Sequence, residues 1–301
     1  MKASFVLVNY NRRDELLNTL SRTKKIIGNA TDYEIIVVDN ASVDGSVEEV
    51  QANFPDVILI QNNVNTGAPA WNLGFKKATG KYFIIIDDDS YVVSGLEDAL
   101  NYMEKNEDIG VLALNILSGP YTSKDWGWKE GQNLVGFIGC GAIYRKAVYD
   151  KIGGYADWMF LYVNEWDLGL RVLDAGYRVS FFSDCKVVHR TSHIHRSNKR
   201  LRVFCTKHEM SLVHKYCSTD KRKYIWRIFL NHLKPIRGFH FKEVWYHILG
   251  VKEFFKIKNS LTIQPVCLLT QNLFVESFEP TRPVFSFIKR DLAKMIGTKN
   301  V

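Results

Sequence analysis

Four times before residue 90, a short and nearly continuous apolar run gives way to a helical pattern. This alternation limits the available folds more than any other feature. The runs are "SFVLVNY" (4–10), "YEIIVVDN" (33–40), "VILIQNN" (57–63) and "KYFIIID" (81–87). Each is too short for a buried helix and too uniformly apolar for a strand with one wet face. Between them, 13–27, 44–54 and 68–80 read as helices, with Gly28 and Gly80 as stops and Asp44 as a cap. Strands that are apolar on both faces must be covered on both faces. Intervening helices do this in a mostly parallel, Rossmann-like α/β sheet. Ligands of such sheets bind beyond the carboxyl ends of the strands. Polar side chains gather there: Asn9 and Asn11 after the first run, Asp39 and Asn40 after the second, Asn62, Asn63 and Asn65 after the third, and Asp87, Asp88 and Asp89 after the fourth.

The pattern then changes. Segments 108–117 and 134 onward read as strands, and 118–133 as a polar, aromatic loop long enough to be a flap. A short helix ends at Gly153-Gly154, and 164–184 reads as a helix stopped by Gly176 and then a strand. Beyond residue 200 the chain reads as mostly helical and basic: residues 201–301 hold 18 Lys and Arg against 7 Asp and Glu, while the remainder holds 22 against 25. We therefore expect a catalytic body over 1–200 and a basic, helical region over 201–301 that associates with acceptor or a membrane surface. Such a region attracts phosphates. No recognised RNA-binding signature accompanies it, so nucleic acid is not the expected partner. Five scattered cysteines without a CxxC pattern, and no apolar stretch of about 18 residues, suit a reduced cytoplasmic setting, with peripheral contact at the inner face of the cell membrane.

Three consecutive carboxylates at a buried strand end repel one another unless a cation neutralises them. Hard oxygen ligands suit Mg²⁺ or Mn²⁺. In an extended segment Asp87 and Asp89 would face the same side, one toward metal and the other toward a ribose hydroxyl or a metal-bound water.

In order along the chain, "VNYNR", "IIVVDNASVDGS", "NNVNTGAPAWNLGFKKATGKYFIIIDDDS", "GCGAIYRKAVYDKIGGY", "NEWDLGLRVLDAGY" and a following histidine resemble the family 2 glycosyltransferases of the GT-A fold, over roughly residues 3–190. Within that family the likeness is to bacterial rhamnosyl- and galactofuranosyltransferases of surface glycans. The resemblance implies that Asn9, Asn11 and Arg12 meet the nucleotide and that Asp39 accepts the N3–H of uracil or thymine. It implies that Asn65, Gly67 and Asn72 belong to the segment closing over the nucleotide. Asp87 is then near ribose and metal, and Asp89 is the metal and diphosphate ligand. Asp88 is outer-shell or the ligand instead. His189 is a third metal ligand or a satisfied loop histidine.

The general base on the acceptor hydroxyl is Glu165, where the family more often has aspartate, or Asp167, which can also pair with Arg171 on the same helix. Trp126 and Trp128, with Tyr121, stack on acceptor sugars or pack beneath their loop; Trp158 and Trp166 flank the proposed base. His193 and His195 lack the further ligands a zinc site needs. Arg190, Arg196, Lys199 and Arg200 are candidates to clamp a diphosphate. The implied activity is inverting transfer of a sugar from a UDP- or dTDP-sugar to a hydroxyl of a growing, lipid-linked glycan, with an anionic membrane surface as a further partner. The alternatives are a nucleotidyltransferase, disfavoured by the glycine-free "NYNRRDE", and a non-catalytic glycan- or lipid-binding module.

Overall fold

In the computed structural model the chain forms two compact units, Met1–Arg196 and Ser197–Val301. The structure describes residues 1–118, 127–191, 197–233 and 240–277, and the backbone of 122–123.

The first unit begins with β1 (Ala3–Asn9), α1 (Arg13–Ile27), β2 (Tyr33–Asp39), α2 (Ser46–Asn53), β3 (Ile58–Gln61), a 3₁₀ turn (Ala68–Ala70), α3 (Trp71–Lys77) and β4 (Tyr82–Asp87). β1 pairs in parallel with both β2 and β4, and β2 pairs in parallel with β3. All seven residues of β1 are buried, as an apolar strand between two covering layers requires. Asp44 serves two helices. Its carboxylate accepts the Arg13 amide at the start of α1 and the Ser46 amide at the start of α2.

Two elements were not anticipated from sequence. After β4 the chain turns back at once into β5 (Ser90–Ser94), followed by α4 (Leu96–Lys105). The buried side of α4 is Leu96, Ala99, Leu100 and Met103, an i, i+3, i+4, i+7 spacing that was legible. Then come β6 (Ile109–Ser118), β7 (Thr122–Ser123), β8 (Asn133–Leu134), β9 (Ala142–Arg145), α5 (Lys146–Ile152), α6 (Asn164–Asp174) and β10 (Arg178–His189). The expected strand from 134 is interrupted: Leu134 pairs in β8 with β10, 135–141 is irregular, and β9 then pairs antiparallel to β4 and β6. The sheet order is β3-β2-β1-β4-β9-β6-β10-β5, with β7 on β6 and β8 on β10. β10 is a single strand with an irregularity between Phe182 and Lys186, so "CKVVH" continues it.

Arg145, at the end of β9, is buried yet apart from any carboxylate bond in this structure. It donates to the carbonyls of Ile109 (2.8 Å), Met103 (2.7 Å) and Asn106 (2.9 Å) and lies over the Tyr82 ring. The Met103 and Asn106 carbonyls also accept the Asn106 and Ile109 amides, so Arg145 adds a second, charge-assisted donor at the end of α4 and the start of β6.

The second unit contains α7 (Asn198–Tyr216), α8 (Lys221–His232), α9 (Phe241–Ile257) and α10 (Leu268–Ser277). α7 and α9 approach closely at Gly250, where a Cβ would stand 2.7 Å from the Val203 carbonyl oxygen and from Thr206 Cβ. His247 Nδ1 meets Thr206 Oγ1 at 2.8 Å, and its ring stacks on His232 with centroids 4.4 Å apart. Burial, then the neighbouring His232 and Arg202, hold His247 down to about 4, so it packs as a neutral ring. Among the described residues no helix is long and apolar enough to cross a membrane.

Replacing Arg145 by Met should cost about 1.5–3 kcal/mol in urea unfolding, the usual loss for hydrogen bonds made by a charged group. A loss below about 1 kcal/mol would show that water reaches those carbonyls.

Candidate active site

The carboxyl ends of β1, β2 and β4 converge on one polar rim. Asn9 Nδ2 donates to Asp39 Oδ1 (3.1 Å) and Ser42 Oγ (3.0 Å), while Ser42 N donates to Asp39 Oδ2 (2.9 Å). Asn11 closes the loop, its amide donating to Ser42 Oγ and its side-chain oxygen accepting from Val43 N. A second amide network holds the next loop: Asn40 Nδ2 donates to Asn65 Oδ1 (2.9 Å), and Asn40 Oδ1 accepts from Asn62 Nδ2 and Thr66 N. Asn65 Oδ1 also accepts from Gly67 N. Gly67 has φ 71°, and a Cβ there would lie 1.9 Å from the Phe160 carbonyl oxygen. No other residue fits that approach.

Backbone strain marks the same region. Non-glycine residues at positive φ include Asn11 after β1, Ala41 after β2, Thr191 after β10, and the consecutive Tyr162 and Val163 before α6. A β-branched residue such as Val163 rarely holds φ near 66°. Such strain persists only where the surroundings over-determine it.

The three aspartates form the turn from β4 to β5, which corrects the extended geometry expected from sequence. Their side chains diverge. Asp88, 5% exposed, pairs with Arg12 Nη1 at 2.8 Å. Asp89, 0% exposed, lies 3.4 Å from Arg12 Nη1 and 3.1 Å from His189 Nε2. Burial pushes the Asp88 carboxyl up to about 7 despite Arg12, with Asp89 and Asp87 adding to the shift. Thr19 Oγ1 and Arg190 Nη2 donate to the Asp88 carbonyl oxygen. Arg190 also binds Glu15 (Nε–Oε2 2.6 Å) and is stacked near Tyr91, so it ties the turn to α1 and does not project as a phosphate clamp.

Asp87 takes a different direction. Its carboxylate, Cys140 Sγ and His189 present ligand atoms that all lie within 4.8 Å of one another. The set offers one oxygen, one sulfur and one nitrogen around a common point, which fits a divalent cation. Asp87 and His189 were expected there; Asp89 is turned toward Arg12 and His189 instead, and Cys140 was missed. Its signal was the "GCG" run, where both glycines pack closely against side chains. A Cβ at Gly139 would stand 2.5 Å from Glu165 Oε1, and one at Gly141 would stand 2.4 Å from Ile116 Cδ1.

The two candidate bases part clearly. Asp167 is fully buried and held by Arg171 (Nε–Oδ2 2.9 Å), which also donates to the Ile152 and Gly154 carbonyls. This pair clamps α6 to the end of α5. Glu165 is only partly buried and lies against Gly139. Burial pushes its carboxyl from about 4.5 up to about 7; the Glu165 and Gly139 amides oppose the shift and the Asp87 charge adds to it. A proton affinity near neutrality suits a general base.

Other expected residues do different work. Asn72 is engaged at both ends by the Tyr155 backbone, donating to its carbonyl and accepting its amide at 2.8 Å each. Trp128 packs edge-on against Phe181 at 5.7 Å, which is the packing alternative. Trp166 lies flat on Gly136, where a Cβ would meet its ring at 3.0 Å, and Trp158 is partly buried in the turn before α6. Lys199 and Arg200 lie in the first turn of α7, in the second unit. Tyr121, Trp126, His193, His195 and Arg196 lie outside the described residues.

Comparison with known proteins accords with this geometry. The profile of glycosyl transferase family 2 matches residues 4–162. A poly(ribitol-phosphate) beta-glucosyltransferase from Bacillus spizizenii is 32% identical over 126 residues, covering 40% of this chain and 20% of that protein. The chain thus spans about a fifth of that relative's length. The fold is similar to Staphylococcus aureus TarS 1–349 in complex with UDP-GlcNAc (TM-score 0.61, 16% identity, 92% of this chain and 89% of that one). It is also similar to the mannosyltransferase PcManGT from Pyrobaculum calidifontis in complex with GDP-Man and Mn²⁺ (TM-score 0.58, 17% identity, 92% and 79%).

The two α6 acids predict opposite effects on stability. The unfolded chain gives up the Glu165 proton near 4.5 and the folded chain only near 7, so the wild-type protein loses stability as pH rises across that interval. Glu165→Gln should therefore melt higher than wild type, by a margin that grows from pH 5 to pH 8. Asp167→Asn should melt lower at pH 7, because it leaves Arg171 buried without its anion. A pH-independent gap for Glu165→Gln would remove the raised proton affinity.

Proposed function

The chain belongs to glycosyl transferase family 2, and from that premise we propose that it is an inverting, metal-dependent glycosyltransferase. It moves a hexosyl or deoxyhexosyl group from a UDP- or dTDP-sugar to a hydroxyl of a growing, anionic surface glycan, carried on lipid. The observation that carries this reading is the placement of Glu165 against Gly139, the residue before Cys140, with the Asp87 charge acting on it. A base and a cation-binding cluster are thereby brought to one rim.

In this reading the Glu165 carboxylate takes the proton of the acceptor hydroxyl as that oxygen bonds to the anomeric carbon. The sugar–phosphate bond breaks on the opposite face, and the diphosphate leaves with the electron pair. Asp87 and His189 would hold a divalent cation, which would supply positive charge against the leaving diphosphate. Asp39 reads the base: each of its oxygens already accepts one protein donor, and a carboxylate has about four lone-pair sites, so acceptor capacity remains for uracil or thymine N3–H. Cytosine has no proton at that position. Asp88 with Arg12 sets the turn beneath the diphosphate.

The second unit supports an acceptor at an anionic lipid surface. On α9, Phe241, Trp245, Ile248 and Phe255 are 43–63% exposed and share one side with exposed Lys252, opposite buried His247, Gly250 and Phe254. Aromatic side chains with basic neighbours suit an interfacial helix. The excess of 18 Lys and Arg over 7 Asp and Glu in residues 201–301 favours the same partner.

Thermal-shift measurements with Mn²⁺ should show stabilisation by UDP or dTDP and much less by CDP. A preference for CDP or GDP would remove Asp39 as the reader of N3–H. Glu165→Gln should keep UDP affinity within about threefold while losing transfer by about 10²-fold or more. Transfer by Glu165→Gln at wild-type rate, with Asp167→Asn folded and inactive, would reverse the assignment. In vesicle sedimentation the full chain should follow vesicles containing phosphatidylglycerol and leave phosphatidylcholine vesicles in the supernatant. Trp245→Ser with Phe241→Ser should weaken that binding at least about tenfold, given about 0.8 kcal/mol per buried methylene-sized group. Equal binding to both vesicle types would exclude the charged surface as partner.

A further inference from the structure

We propose that Cys140 is itself a ligand in this metal site, and that its thiolate makes the site select softer divalent transition ions over Mg²⁺. The inference rests on the reading of the site as cation-binding and adds a donor of a different chemical kind. Cys140 Sγ, one Asp87 oxygen and one His189 ring nitrogen lie mutually within 4.8 Å, so small rotations bring all three onto one ion. Asp87 comes from the end of β4, Cys140 from the loop before β9 and His189 from the end of β10. Two of the ligands thus stand at strand ends and the third in the turn leading into β9.

The ordinary explanation of a buried cysteine is a small apolar filler. It serves for Cys185, which is 0% exposed in the core and whose thiol burial pushes up to about 12. It does not explain a carboxylate and an imidazole gathered around the Cys140 sulfur. Nor does it explain why both neighbours are glycines. Gly141 brings the loop against Ile116 and Gly139 brings it against Glu165, which together fix where residue 140 stands.

Mg²⁺ prefers oxygen ligands in octahedral geometry and binds thiolate poorly. A mixed oxygen, nitrogen and sulfur set follows the opposite preference and rises in affinity from Mn²⁺ through Co²⁺. On binding, the metal–sulfur bond forms as the Cys140 S–H proton passes to solvent, so binding releases a proton and strengthens with pH.

The test uses the full chain with UDP and Co²⁺ as an optical probe, in a Cys267→Ser background that removes the exposed thiol. The expected result is a near-ultraviolet thiolate-to-cobalt charge-transfer band. Adding Cys140→Ser should abolish it, weaken Co²⁺ binding about tenfold or more and change Mg²⁺ binding less than about twofold. Independently of whether Cys140→Ser folds, ¹¹³Cd NMR of the unmutated site reads the same ligand: a thiolate moves the resonance far downfield of an all-oxygen-and-nitrogen site. Tight Co²⁺ binding without the band, or a cadmium resonance in the oxygen–nitrogen range, overturns the role of Cys140 and leaves the metal reading intact. Failure of Co²⁺ and Mn²⁺ to bind at all overturns both.

Discussion

Three carboxylates in a row at the end of a buried strand must each meet something that offsets charge, or the strand cannot end there. No single group meets all three. Arg12 stands against Asp88 and Asp89, His189 against Asp89, and Asp87 is left facing Cys140 and His189. Because β4 turns directly into β5, the three side chains cannot share one partner, and the surrounding elements must each deliver one. β1 delivers Arg12 through the loop that follows it. β10 delivers His189 at its end, and Arg190 one residue later ties the turn's backbone to α1. Much of the sheet order follows from bringing these groups to one place.

The rim is stiff. Asn40, Asn62 and Asn65 exchange amide hydrogen bonds, Gly67 touches Phe160, and Asn72 holds Tyr155. Residues Tyr162 and Val163 carry positive φ immediately before Glu165. A strained entry to α6, locked by the buried Asp167–Arg171 pair, leaves Glu165 with little freedom. Glu165 and Asp167 on α6 thus differ by environment: the fully buried Asp167 is paired with Arg171, and the partly buried Glu165 has no cation partner among the described residues and is poised near neutrality.

Residues of the two classes were unequally legible. The parallel core, the helices between its strands and the polar strand ends follow from apolar periodicity and local turn chemistry. The β4–β5 reversal did not, because "DDDS" carries neither glycine nor proline and is stabilised by side chains from α1, β1's loop and β10. Asn72 read as a nucleotide residue because an asparagine in a helix gives no sign that a distant backbone will take both ends of its amide. Trp128 left its alternatives open in the same way, and the partner that closed them, Phe181, lies across the sheet.

What the sequence determined by itself was the kind of sheet and the rim where its chemistry must lie, since both depend on patterns within a few residues of one another. The different environments of Glu165 and Asp167, the separation of the three aspartates and the arrival of Cys140 beside Asp87 and His189 were decided by tertiary structure. Each depends on how distant segments cross, and a crossing distance is written in no single stretch of chain.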